Sequence, residues 1–148
     1  MLRYSFLPSD FNPMVLMLGE AQDMRVLSKL LESFAQSAGE MNLGRAKGFA
    51  PSDTQITLTG AENERLGMRL LSPQQKILCW VLDSSTAMLF AEMVHGLGEP
   101  NQKSGSQKLL CGCYPEIPVK VSRGEFTDDY LIFGQPALKS GWPTKGSE

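Results

Sequence analysis

The chain has 148 residues and a formal charge of −2, from 14 Lys and Arg against 16 Asp and Glu. That length suits one compact domain, and a composition of 42% hydrophobic and 20% charged residues excludes a disordered tail, a fibrous repeat and a disulfide scaffold. The near-neutral balance gives no long-range pull toward phosphate backbones or anionic lipid, so nucleic acid and membrane surfaces are not expected partners.

The opening run, Met1 to Pro8, carries one basic residue, a broken apolar stretch and no small-residue cleavage site. It does not read as a signal peptide. The longest apolar runs, Met14 to Leu18 and Ile77 to Leu82, fall far below the roughly 18 residues a spanning helix needs. Three cysteines, Cys79, Cys111 and Cys113, are an odd number for a disulfide framework, and a reducing cytoplasm is the expected compartment.

In chain order, Leu2 to Leu7 predicts a strand stopped by Pro8, and Met14 to Leu18 a second strand apolar on both sides. Met24, Leu27, Leu30, Leu31 and Phe34 follow the three-and-four spacing of an amphipathic helix that Gly39 would end. The aperiodic stretch from Ala38 to Asp53, with three glycines, Pro51, Arg45 and Lys47, reads as a loop. It exceeds the common connection of about 4–6 residues, and loops that long are often functional. Thr54 to Thr59 alternates as a half-buried strand does, and Leu66 to Leu71 returns beside it. Ile77 to Leu82, apolar throughout, predicts a central strand. Asp83, Ser84 and Ser85 supply capping oxygens for a second helix with its stripe on Ala87, Phe90, Met93, Val94 and Leu97. A flexible loop over 101–107 then leads to strands at Lys108 to Cys113, Ile117 to Ser122 and Tyr130 to Phe133. The tail over 136–148 carries Pro and Gly and reads as irregular, leaving 1–135 as the folded domain.

A strand, helix, strand, strand pattern recurs at an offset of 63 residues. It sets Leu27 on Phe90, Leu30 on Met93, Phe34 on Leu97, Ile56 on Val119, Leu58 on Val121 and Met68 on Leu131. Identities across the offset are almost absent, so coincidence of a common βαββ unit is the plainer account, and only superposable halves would make a duplicated ancestor credible.

Candidate chemistry is sparse. Cys111 and Cys113, with Cys79 and the lone His95, make a poor zinc set beside the paired spacing that structural zinc commonly uses, and small buried thiols are the plainer expectation. His95 and Glu92 fall opposite the buried stripe of the second helix, where they read as an exposed pair of little weight. The best polar cluster is Arg123, Glu125, Phe126, Asp128, Asp129 and Tyr130, with Glu116 upstream. Its carboxylates could hold a divalent cation or do acid and base work. They equally suit docking onto a basic protein, with charge speeding encounter and an aromatic ring anchoring it. Met88, Phe49 and Trp142 are further candidates for exposed contact. Short signatures for phosphate cradles, dinucleotide turns, nucleophile elbows and zinc proteases are absent.

The expected fold is α+β: one largely antiparallel sheet of about five to seven strands with two amphipathic helices on it, and with two βαββ pseudo-repeats as a further feature. If both helices share a face, the reverse of the central strands needs a second layer or a second copy of the chain, which makes a homodimer one expectation. The expected function is a non-catalytic protein-binding module, of accessory, adaptor or immunity type, in a bacterial-type cytoplasm, with no cofactor and no metal. The alternative is a small enzyme or ligand-binding domain built on Glu125, Asp128 and Asp129.

Overall fold

The structure is a computed structural model, and it describes residues 1–9, 12–37, 39–62, 65–101, 104–125, 128, 130 and 131. Strands β1 (Arg3–Leu7) and β2 (Met14–Gly19) lead into helix α1 (Ala21–Ser37), followed by β3 (Met41–Asn42), a 3-10 turn (Leu43–Arg45) and β4 (Gln55–Gly60). Then come β5 (Gly67–Ser72), β6 (Ile77–Leu82), helix α2 (Ser84–Leu97), β7 (Gly105–Leu109) and β8 (Val119–Arg123).

The class is α+β, but the expected single antiparallel sheet is corrected to two four-stranded mixed sheets, ordered β1-β2-β8-β7 and β3-β4-β6-β5. Each has a parallel pair at its centre and antiparallel strands outside. The reason lies in the helices. α1 carries the chain from β2 in one sheet to β3 in the other, and α2 carries it back from β6 to β7. Alternation in a strand fixes which face is buried and is silent about which sheet the strand joins.

The offset of 63 residues is present in the strand pairing. Val15 pairs with Val119 and Gly19 with Arg123; moving the first member of each pair forward by 63 and the second back by 63 gives Leu78 with Ile56 and Leu82 with Gly60, both observed. The helices meet at equivalent places too, since Ser28 Oγ donates to the Ala91 carbonyl at 2.8 Å. The repeating unit is nevertheless ββαββ rather than βαββ. Met68 lies in β5, the first strand of the second half, so its expected match to Leu131 does not hold. Each sheet takes two strands from each half.

One buried cluster unites the inward faces of both sheets, including Tyr4, Phe6, Met17, Ile56, Trp80 and Val121, with the helix stripes Leu27, Leu31, Phe34, Phe90 and Val94. Trp80 stacks on Phe90 with ring centroids 6.2 Å apart. On the reverse of β1 and β2, Leu7, Leu16 and Leu18 pack under Met14, Tyr130 and Leu131. The chain itself thus supplies a covering layer there. Tyr130 and Leu131 have helical backbone, not the expected strand; Phe133 and the tail 136–148 lie outside the described residues. The strand expected over 108–113 ends at Leu109 and starts at Gly105, inside the expected loop.

Two of the outer strands, β1 and β5, have covered edges. The Leu2 N–H donates to Gly48 O and the Ala50 N–H to Leu2 O, both at 2.8 Å, while the Phe6 N–H donates to Thr54 Oγ1 at 2.9 Å. On the other sheet the Ile117 N–H donates to Met68 O at 2.9 Å. Covering these backbone groups removes two templates for pairing with other chains. Phe49, a candidate for exposure, is instead buried edge-on against Tyr4 at 6.0 Å. Gly19 is required where β2 turns into α1, because a Cβ there would come within 2.6 Å of Asp23 Cβ.

Truncating Trp80, fully buried between sheet and helix, to Ala is expected to cost about 3–5 kcal/mol in urea unfolding. The N-cap of α2 is Asp83, whose carboxylate accepts from the Thr86 N–H at 2.8 Å and the Ser85 hydroxyl at 3.2 Å. Hydrogen bonds from the Thr86 side chain and backbone hold its pKa below the ordinary 3.8. The stabilisation is complete above that value and disappears as pH falls through the lowered native one. Asp83→Ala should therefore lose about 0.5–2 kcal/mol at neutral pH, and the gap to the parent should close in acid, as read from unfolding midpoints against pH.

Candidate functional site

The residues singled out near the end of β8 do not converge. Arg123 Nη1 donates to Leu97 O at 2.8 Å and to Glu99 O at 3.0 Å, so its guanidinium caps the last carbonyls of α2. Asp128 pairs with Arg3 Nε at 2.6 Å on the outside of the molecule, with its side chain 61% exposed. Glu125 is exposed, and Tyr130 is half-buried over the Leu16 cluster. Phe126 and Asp129 lie outside the described residues. Among the described members, Arg123 is committed to helix carbonyls and Asp128 to a surface pair, while Glu125 stands exposed.

The cysteine loop has a structural organiser that its sequence conceals. Glu116 folds back so that its carboxylate accepts the Cys111 N–H at 2.7 Å, the Gly112 N–H at 2.9 Å and the Cys113 N–H at 3.3 Å. One carboxylate thereby satisfies three consecutive backbone donors. Burial, reinforced by the adjacent Glu116 carboxylate, pushes the Cys111 thiol up to about 12. None of the three cysteines is in a disulfide, and among the described residues no group of three His, Cys, Asp or Glu side chains could hold a metal ion. His95 is exposed as expected, but its Nε2 lies 3.3 Å from Glu99, one turn ahead, rather than pairing with Glu92.

Two concavities are lined by described residues. One, of about 710 Å³, lies beside β5 and is lined by Arg69, Lys108, Tyr114, Glu116 and Ile117 among others. Arg69 Nη2 donates to Leu66 O at 2.9 Å, while its buried Nη1 has no hydrogen-bond acceptor among the described residues. Gly67, at φ +120°, leaves room there, since a Cβ would come within 3.0 Å of both the Glu116 side chain and Arg69 Nη1.

The second, of about 820 Å³, is an open groove between α1 and the segment from Glu40 to Lys47. Its apolar lining is Val26 and Leu30 from α1, Met41 from β3, and Ala46, all half-buried, beside the polar Ser33, Asn42 and Thr57. The rim carries Lys29, Arg45 and Lys47 against the single acid Glu40, all exposed. Among the described residues none of the three cations has an anionic partner within 4.0 Å. The groove exists because β3 stops after two residues and the chain tightens into a 3-10 turn, with Asn42 Oδ1 accepting the Gly44 N–H at 2.9 Å. In the other half β7 runs for five residues and packs along α2, whereas β3 and α1 barely touch. Gly48, at φ +95°, forms the tight wall against Val26, where a Cβ would come within 2.9 Å of Cγ1. Sequence reading marked Arg45 and Lys47 as part of a long loop but gave no reason to join them to Lys29.

With its thiol raised to about 12, Cys111 holds a thiolate fraction of about one in ten thousand at pH 8. Its alkylation by iodoacetamide, followed by peptide mass spectrometry, should be orders of magnitude slower than that of free cysteine at the same pH. No protein-family model matches the sequence, and neither the curated proteins nor the solved structures compared with it yielded a match.

Proposed function

We propose that this chain is a non-catalytic protein-binding module, of the accessory, adaptor or immunity type, acting in a bacterial-type cytoplasm. What supports the reading is how the ionisable side chains are placed. Arg123 binds helix carbonyls, Glu116 binds a loop, Asp83 caps α2, Asp53 binds Lys76 at 2.9 Å, and Asp128 binds Arg3. General acid or base work needs such a group within hydrogen-bond reach of a reacting atom, whereas these are held by backbone groups or by one another. The open, partly apolar groove along α1 is instead the kind of surface that a partner's side chains fill.

The test is affinity capture from native extract with crosslinking, using the full chain as bait. The expected result is a protein partner retained in fixed ratio and displaced by excess untagged chain. Absence of any saturable partner would remove the reading.

A further inference from the structure

Building on that reading, we infer that the α1 groove receives an acidic amphipathic helix of the partner protein, apolar residues down and carboxylates toward the rim. The two requirements come from separate observations. Val26 and Leu30 stand one helical turn apart, and with Met41 and Ala46 they leave half-buried apolar surface that a row of Leu-type side chains at three-and-four spacing would cover. Lys29, Arg45 and Lys47 set three positive charges around that floor in a chain whose net charge is −2. Cations left without anionic partners among the described residues, on both walls of one groove, select an anionic occupant and repel a basic one. Glu40, also on the lining, disfavours a carboxylate beside it.

The internal symmetry sharpens the point. Adding 63 to Lys29 gives Glu92, and adding 63 to Val26 and Leu30 gives Leu89 and Met93. The second half thus keeps the apolar pair and reverses the charge, and it lays the longer β7 along α2. Leu89 is itself 55% exposed, so what sets the first half apart from its repeat is the cationic charge beside the apolar pair.

The experiment uses three labelled synthetic peptides: a helical one with a leucine stripe and glutamates elsewhere, a twin with lysines replacing the glutamates, and a twin with serines replacing the leucines. Each is titrated by fluorescence anisotropy into the full chain at low and high salt. The glutamate–leucine peptide should bind about tenfold or more tighter than either twin, and its affinity should fall with salt as a rim-charge contact does. In the double variant Arg45→Glu with Lys47→Glu, the preference should shift toward the lysine twin. Both positions are exposed, so an unchanged melting temperature certifies the fold. Equal binding of the three peptides, an unaltered preference in the double variant, or displacement of the acidic peptide by a single-stranded oligonucleotide would overturn the inference. Capture of a native partner with undiminished affinity by the double variant would overturn this groove assignment while leaving the binding-module reading intact.

Discussion

The parallel pairings of β2 with β8 and of β4 with β6 are the contacts on which the rest of the structure depends. Each joins a strand from one half of the chain to a strand from the other, and each runs down the middle of its sheet. Without them both sheets fall into two-stranded pieces that are marginal in water. With them, both inward faces close over the paired helices, and Trp80, Phe90, Phe34 and Met17 enter one core. The helix contact at Ser28 and Ala91 lies at the same equivalence, so the two central pairings and the helix crossing obey one approximate two-fold relation.

The sequence disclosed local structure well, because local structure is set by period. The stripe of Met24, Leu27, Leu31 and Phe34 is buried as the helical spacing demands, and Ile77 to Leu82 is a strand with those bounds. Leu30 belonged to the same pattern by spacing, yet it lies at the margin of the stripe and is half-buried on the groove floor. A periodic pattern cannot separate a residue at the edge of the core from one at its centre. The partition into two sheets was illegible for a different reason. It is decided by where each helix sets the chain down, a long-range property that alternation does not encode.

Charge was the least legible feature. Arg123, Glu125, Asp128 and Asp129 look like a cluster when counted along the chain. In space, Arg123 turns to the carbonyls of Leu97 and Glu99, and Asp128 turns to Arg3, 125 positions away. Conversely, Lys29 resembled any solvated helix residue, and only the 3-10 turn at Leu43–Arg45 brings Arg45 and Lys47 to the facing wall. Backbone carbonyls and distant partners decide where a charge points, and neither is visible in a count of ionisable residues.

The interleaving of the two halves also dictates an order of assembly. During synthesis β1, β2 and α1 precede their partner, and β2 has no central neighbour until Val119–Arg123 has left the ribosome. The nascent protein must hold Leu16, Met17 and Leu18 beside an open edge until then. The other sheet is finished sooner, once β6 has been made. The sheet bearing β3 and β4 thus acquires its strands first, and closure of the sheet containing β1 follows it.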